Sequence, residues 1–480
     1  MKKNKKSIDL KKNISKLNII SVVSVTISLI FILSLVRLNV LPFKYLLLII
    51  IFYFMISLIS IFLLNRKNKI IKILSIIMLS ILAIINVVGF YFINSTNNFF
   101  DKSFNNKTKQ VFTYYVVGLS KNNLKKEDIN KSDIGYYNNS PSIENALEYL
   151  DNKFDVNPSG YDDLNNLFNK LNNGEEKTVL IEKSSYNIIL NLDDKYNKDD
   201  YTIIHEFNVE KELKIDSKES NSFNIYIVGS DFAGMMDLNM LVTINQDNHK
   251  VLLTSIPRDY YIDVAGYNTK DKLSFITQGV DVSMKSIEML FDTNIDYYIK
   301  IDTNSLVTLV DQIGGIDYCS DIEFTTTHAQ VVDTYNDSKG KKLHINKGCQ
   351  HLNGVQTLTV ARERNAFPGR DRVRQQNCQK IMIAIFKKIA STDTISNYNE
   401  ILNAISNTYE TNIPKEIITK NIKDIINNGN KWTIETQSVD GEDGHDRVHL
   451  NTGIDWVMYP NMDTVNTAKE NINNTMNNED

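Results

Sequence analysis

Two pairs of arginines share one spacing, Arg362 with Arg364 and Arg372 with Arg374, on either side of a Phe367-Pro368-Gly369 turn. In an extended segment, residues two apart project to one face. Two such pairs on facing arms would clamp a pyrophosphate through forked, bidentate hydrogen bonds. The competing reading is a solvated loop whose arginines pair with Glu363 and Asp371. Asp231 and Asp237 flank a short loop after an expected strand. Two carboxylates at a strand end are what Mg²⁺ accepts when substrate phosphate completes its shell; they also suit a polar loop with a cap. Arg258, in Ile256-Pro257-Arg258-Asp259, ends the next expected strand and can join the same rim, and Asp271-Lys272 adds less. No P-loop or GxGxxG is present, so phosphate has to be held by side chains. His445-Asp446-Arg447-Val448-His449 has the spacing of a zinc-protease helix, but Gly441 and Gly444 beside it point to a surface loop. His351 sits beside a capping Asn353 and reads as structural, and no Ser–His–Asp triad is indicated.

The elements that position these residues follow from periodicity. Phe223–Gly229, Leu241–Asn245, Val251–Ile256 and Tyr297–Ile301 read as strands. Ser283–Phe291, Thr303–Ile313 and Gln375–Ala390 read as helices, the second ending at Gly314-Gly315. Asn353 and Gln356 form a capping-box pattern at another helix start. This alternation predicts an α/β layered domain over 222–392 with a central mixed sheet flanked by helices. Residues 393–480 are expected to be a C-terminal extension, mainly helical up to a loop near Asp440–Gly444, with a disordered polar tail at Lys469–Asp480. Upstream, 111–220 predicts a small α/β accessory domain. Its strands are expected at Phe112–Leu119, Lys177–Glu182 and Tyr201–Val209, and its helices at Ile143–Phe154 and Tyr161–Leu171. Polar stretches at Asn94–Gln110 and Lys218–Ser222 read as linker and boundary.

Before all of this lie three apolar runs, Leu17–Val36, Tyr45–Leu64 and Ile73–Ile93, without Asp, Glu, Lys or Arg. Each has the length of a transmembrane helix, so 1–100 reads as a membrane anchor rather than a cleaved signal peptide. Seven Lys precede the first run, and Arg66, Lys67, Lys69 and Lys72 fill the second turn, against Arg37 and Lys44 in the first. The positive-inside rule places the N-terminus in the cytoplasm and residues after about 94 outside it. A net charge of −4 argues against nucleic acid as a general partner. Of the three cysteines, Cys319 and Cys349 are a candidate disulfide pair in an external compartment; three free or buried thiols is the alternative.

Taken in order, these segments resemble the LytR-CpsA-Psr family of bacterial envelope proteins. The resemblance covers roughly 222–389. It rests on Ile-Val-Gly-Ser-Asp (227–231), Leu-Leu-Thr-Ser-Ile-Pro-Arg-Asp-Tyr-Tyr (252–261), Asp271-Lys272-Leu273 and Leu-Val-Asp-Gln-Ile-Gly-Gly-Ile-Asp (309–317). His-Leu-Asn-Gly-Val-Gln (351–356), Ala-Arg-Glu-Arg (361–364) and the Asp371–Gln379 stretch continue it. Three spans followed by an intermediate domain resemble the CpsA-like, capsule-associated branch. The resemblance implies a phosphotransferase that moves a capsule or teichoic-acid type glycopolymer from undecaprenyl pyrophosphate to peptidoglycan, with Mg²⁺. It implies Asp231 and Asp237 as metal ligands and Arg258, Arg362, Arg364 and Arg374 as pyrophosphate-binding residues. Asp231, Arg258 and Arg364 would be catalytic, with Asp231 as base, and the polyprenyl tail would lie in an apolar tunnel.

The chain departs from the family pattern twice. Met235-Met236-Asp237 stands where the pattern has Arg-Ser-Asp, and Cys378 stands where it has Gln, with Gln379 about 100° away around a helix. Losing one charge-assisted contact costs ~1.5–3 kcal/mol. A pyrophosphate hydrolase and a lipid-binding regulatory paralogue are therefore the rival functions. A transcription attenuator fits the external topology and acidic pI poorly.

Overall fold

A computed structural model of the chain describes residues 2–64, 66–104, 109–192, 195–213, 220–231, 234–330, 341–389, 402, 409–428, 431–448 and 454–477; for 2–18 and 191–192 it describes only the backbone. The contacts divide the chain into two units. One comprises Met1–Asn105 with Pro414–Lys431, the other Asn106–Ile413 with Trp432–Asp480.

The first unit contains α1 (Lys2–Leu38), α2 (Phe43–Leu64) and α3 (Lys69–Ser103), each with a stretch long and apolar enough to cross a membrane. Some polar groups inside the apolar stretches bond across helices, while Thr26, Ser28 and Ser34 donate to carbonyls of their own helix. Asn86 Nδ2 donates to Ser28 Oγ (2.8 Å), and Ser75 Oγ donates to the Ser60 carbonyl (2.8 Å). Asn94–Ser103, expected as a linker, continues α3. Phe100 is buried there beside Phe99 and Phe104 and packs with Ile418 and Ile422, while Lys415 donates to Asp101 (2.9 Å). Apolar packing of this kind outweighs the low helix propensity of the Asn-rich start.

The second unit starts with a five-stranded mixed sheet. Its elements are β1 (Lys109–Leu119), β2 (Asp133–Tyr137), α4 (Ile143–Phe154), β3 (Asn157–Tyr161), α5 (Leu164–Asn172), β4 (Thr178–Glu182), α6 (Lys183–Leu192) and β5 (Tyr201–Glu212), in the spatial order β3-β2-β4-β1-β5. The expected helix at Tyr161 starts later, because Tyr161 pairs with Tyr137 and Asp163 caps α5 by accepting from Asn166 N (2.8 Å).

The rest of the unit supplies β6 (Ser222–Ser230), β7 (Met236–Asn245), β8 (Lys250–Ser255), β9 (Tyr261–Asp263), β10 (Lys270–Lys272), α7 (Val280–Phe291), β11 (Tyr297–Asp302) and α8 (Thr303–Gln312). After them come β12 (Ile316–Ser320), β13 (Phe324–Ala329), β14 (Lys342–Ile345), β15 (Gly348–Leu352), α9 (Gly354–Arg362) and α10 (Asp371–Ile389). The order β16-β11-β6-β7-β8-β17 makes a six-stranded mixed sheet, with β16 (Tyr409–Thr411) and β17 (Thr433–Ser438) at its edges. The fold is thus α/β with a central mixed sheet and helices, as expected. The stretch read as an extension beyond 392 nevertheless contributes both edge strands. Between those strands the chain forms α11 (Lys415–Asn428), which belongs to the first unit.

The last elements, β18 (Gly441–Arg447), β19 (Ile454–Pro460) and α12 (Met462–Asn477), also depart from expectation. His445 and Asp446 lie on a strand rather than in a surface loop or on a zinc-protease helix; His449 is outside the described residues. The tail expected to be disordered is α12 as far as Asn477. Val465, Ala468 and Ile472 recur at helical spacing and are buried in the core beside the sheet.

Cys319 and Cys349 face each other on the antiparallel β12–β15 pair and form a disulfide, resolving the two readings in favour of the bridge. Cys378 is free and buried.

Candidate active site

Asp231 and Asp237 sit at the turn of the β6–β7 hairpin. The peptide N–H of Asp231 donates to the Met235 carbonyl (2.9 Å), and Asp231 Oδ1 accepts from Met235 N (2.9 Å). These bonds fix one carboxylate oxygen within the loop and leave the group at the end of two central strands of the sheet. Arg258, just beyond β8, donates from its guanidinium to Asp237 Oδ1. Adjacent antiparallel strands thus bring together residues 21 apart in sequence.

The remaining arginines come from the α9–α10 connection. Asn353 and Gln356 form the expected capping box at the start of α9. Arg362 is the last residue of that helix and Glu363 its C-cap. Glu363 is fully buried and anchors the turn, accepting hydrogen bonds from Thr327 Oγ1 (3.0 Å) and Ala366 N (2.9 Å). With Glu363 committed inward, Arg362 lines an apolar cavity and Arg364 a polar one.

The second arginine pair does not form an extended arm. The helix α10 begins at Asp371, four residues before the expected Gln375, so Arg372 and Arg374 lie about 200° apart around its axis. Arg374 is buried, donates to Asp371 Oδ1 (2.7 Å) and lines the apolar cavity. Arg372 turns the other way, to Asp440 and to the Gly441 carbonyl (2.7 Å). The four-arginine clamp on facing arms is therefore not what the backbone builds. Arg362 and Arg374 instead share the apolar cavity with Asp231 and Asp237, Arg258 bonds Asp237, and Arg364 lines the polar cavity beside Arg258.

Three cavities meet at this place. The first, about 220 Å³, is walled by Ile227, Ile299, Leu358, Ile381 and other apolar side chains, with Asp231, Asp237, Arg362 and Arg374 also lining it. The second, about 480 Å³, is lined by Arg258, Lys272, Arg364, Arg370 and Arg372 together with Asp259, Asp371, Asp443 and Asp455. The third, about 600 Å³, shares Ser230, Asp231, Asp302, Thr303 and Tyr409 with the first. Asp231 thus borders the first and third cavities, and the Arg258–Asp237 contact joins the first to the second.

The electrostatics are those of a buried charge cluster. Burial alone would raise the Asp237 carboxyl, but Arg258 and Arg374 outweigh it and hold the group below its ordinary value. Burial likewise opposes ionisation of Asp371, yet Arg374 and Arg258 bring it down to about 2. Arg374 is buried and held firmly charged by Asp371. Burial pushes the Cys378 thiol up to about 11, so it is a small apolar wall group at the cavity.

The two departures now have locations. Met235 is buried and packs with Phe275, Val448 and Val457 in the core that β1, α5 and α6 also build, so that position presents no charge to the cavities. Cys378 occupies the cavity wall, and Gln379 points elsewhere, donating to the Gln437 carbonyl (2.8 Å).

Lys272 is tied into the site by residues distant in sequence. It is buried, donates to Asp455 (2.8 Å) and lies 3.6 Å from Asp259, which is itself 3.5 Å from Arg258. Asp455 is 183 residues away, so no local pattern signals the pair.

A divalent metal has a compatible donor set here. Asp231 and Asp237 line one cavity with hard oxygen ligands, and no group of three metal-binding side chains occurs among the described residues. A Mg²⁺ ion that keeps waters and takes phosphate oxygens needs no more than one or two carboxylates.

The LytR_cpsA_psr family profile matches residues 186–476. Polyisoprenyl-teichoic acid–peptidoglycan teichoic acid transferase TagU of Bacillus mycoides is 30% identical over 235 residues, covering 47% of this chain and 73% of that protein. Biofilm regulatory protein A of Streptococcus mutans is 28% identical over 242 residues, covering 47% and 58%. Among solved structures, Bacillus subtilis TagU gives a TM-score of 0.41 at 23% identity, covering 54% of this chain and 97% of that one. The protein gbs0355 from Streptococcus agalactiae gives 0.44 at 26% identity, covering 53% and 88%.

Proposed function

Because the chain belongs to the LytR_cpsA_psr family, we propose that it is a membrane-anchored phosphotransferase acting at the cell wall. It moves an anionic glycopolymer, of teichoic-acid or capsule type, from an undecaprenyl-pyrophosphate carrier to peptidoglycan. The observation that carries this reading is the apolar cavity bordered by Asp231, Asp237, Arg362 and Arg374. A polyprenyl pyrophosphate has the same division, an apolar chain ending in a dense negative charge. The positive-inside pattern orients the catalytic part outward, where carrier and peptidoglycan meet.

In the proposed reaction an acceptor sugar hydroxyl attacks the phosphorus attached to the polymer. A new phosphodiester bond forms and the bond to the bridging pyrophosphate oxygen breaks. Polyprenyl monophosphate leaves, and Asp231 takes the hydroxyl proton. Arg362 and Arg374 from the apolar cavity, with Arg258 and Arg364 from the polar one, neutralise the charge on the transferring and leaving phosphoryl groups. Mg²⁺ held by Asp231 and Asp237 would add Lewis-acid neutralisation of the same oxygens.

The test is to incubate the full chain in detergent with a polyprenyl-pyrophosphate oligosaccharide, Mg²⁺ and peptidoglycan fragments, read by mass spectrometry. A phosphodiester-linked product, absent with Arg364→Ala, is expected. Release of polymer without ligation would convert the assignment to a hydrolase. Bound lipid without turnover would convert it to a regulatory binder, consistent with the apolar burial of Met235.

A further inference from the structure

The third cavity lies between layers that sequence reading assigned to separate domains. One wall is the start of α6 in the first sheet layer, with Lys183, Ser184 and Asn187. The opposite wall is the start of α8, where Asp302 caps the helix by accepting from Ser305 N (2.7 Å) and Asn304 faces the same space. Lys300 and Glu410, on the neighbouring strands β11 and β16, complete it.

The two layers are held in register here. Gly234, in the loop carrying Asp231, lies so close to Ser184 that a Cβ on it would fall 2.6 Å from the Ser184 Cβ. Its φ of +93° is also a conformation that favours glycine. Met235 beside it packs into the core of the first layer. Elsewhere Lys211 pairs with Asp281 (2.9 Å), and the Gln110 side chain accepts from Val280 N (3.2 Å). The loop that presents Asp231 thus rests on the accessory layer.

We infer that this cavity is the subsite for the acceptor glycan, with α6 of the accessory layer forming one wall. The identity of the acceptor rests on the transferase reading above; that the cavity takes a carbohydrate does not. Its lining alternates amide, hydroxyl, ammonium and carboxylate groups, which suits an uncharged, polyhydroxylated and acetamido-bearing sugar chain that both donates and accepts hydrogen bonds. Apolar tails suit the first cavity, and anionic phosphates suit the second with its Arg258, Lys272, Arg364, Arg370 and Arg372; the third, whose cations are Lys183 and Lys300 among hydroxyl and amide groups, is the less cationic polar space. Asp231 lines both the first and third cavities, so a hydroxyl entering from the α6 side meets the rim of the first. The accessory layer thereby acts in acceptor choice.

The test uses the full chain in detergent with the double variant Lys183→Ala/Asn187→Ala and, on the opposite wall, Asn304→Ala. Three quantities are read: the KM for a soluble peptidoglycan glycan fragment, the Kd for the lipid-linked donor, and direct calorimetric binding of the fragment. The expected result is an acceptor KM and fragment Kd raised about tenfold in the double variant, with donor Kd unchanged. Lys183→Arg should restore part of the loss. Fragment binding unaffected by both wall variants, or donor and fragment binding lost together, would overturn the assignment. If wild-type protein transfers nothing, the phosphotransferase reading falls. Fragment titration still decides the subsite in that case, because it needs no turnover.

Discussion

The two ends of one helical turn carry charge in opposite ways. Arg374 and Asp371 are each about 6% exposed and are electrostatically coupled to Asp237 and Arg258, a cluster that lies between the apolar and the polar cavity. Arg372, two residues away, is 40% exposed and reaches Asp440 and Asp443, 49% and 57% exposed. The sequence presents the two arginines as equals, but the helix separates them by burial. A buried pair carries a large penalty if broken, whereas an exposed pair is screened and worth little. The difference separates the arginines that set the site from the one that ties down the neighbouring β18 strand.

The largest effect expected from this contrast is on folding. Arg374→Ala leaves Asp371 buried without its cation, and a loss of about 3–5 kcal/mol is expected. The denaturant midpoint should show it, and Asp371→Ala should behave alike because it strands Arg374. The double variant should recover part of the loss. A double variant as unstable as the sum of both would show that the pair is not coupled, which would break the comparison.

Activity comes next. Arg364 lines the open polar cavity, and Arg364→Ala is expected to lower transfer by about a hundredfold or more while the unfolding midpoint stays put. Asp237→Asn keeps the shape beside Arg258 and should also abolish transfer without unfolding the domain. Transfer persisting in either variant would sink their assignment to the transferring site.

Acidity gives a smaller, directional test. The folded-state value of Asp371 is about 2, below the ordinary 3.8. A depressed carboxyl contributes stability above its unfolded value and loses it as pH falls toward the folded one. The contribution is on the order of 2 kcal/mol. Wild type should therefore lose stability between about pH 4 and pH 2 more steeply than Asp371→Asn. Matching slopes would indicate that other carboxylates dominate acid unfolding.

What the sequence made legible was what local pattern controls. Uncharged runs marked the spans, the Asn353–Gln356 spacing marked a helix start, and Ile143–Phe154 was placed to the residue. Asp231 and Asp237 were placed at one strand end because the hairpin that joins them is local. Contacts made at long range were not legible. Lys272 meets Asp455 across 183 residues, and β17 pairs with β8 although all the elements from β9 to α11 lie between them in the chain. The turn between the arginine pairs misled for a related reason. Pro368 and Gly369 look like a hinge between extended arms, but Asp371 starts a helix there, its carboxylate accepting from Arg374 and Gln375. The α12 helix was missed because its Asn-rich surface hid three apolar positions.

The smallest effect belongs to Arg372. Arg372→Ala removes hydrogen bonds to Asp440 and the Gly441 carbonyl, but both carboxylates near it already face water. The expected loss is under about 1 kcal/mol. It should shrink further as salt rises toward 1 M, where screening acts over a few ångströms. The Arg374→Ala loss should hardly respond to the same salt, since ions do not reach a pair that is about 6% exposed. Salt therefore sharpens the comparison that mutation alone leaves coarse: two arginines on one turn, one salt-sensitive and one not. If both respond alike, Asp371 and Arg374 open to solvent together, and the cluster beside Asp237 is less enclosed than its geometry implies.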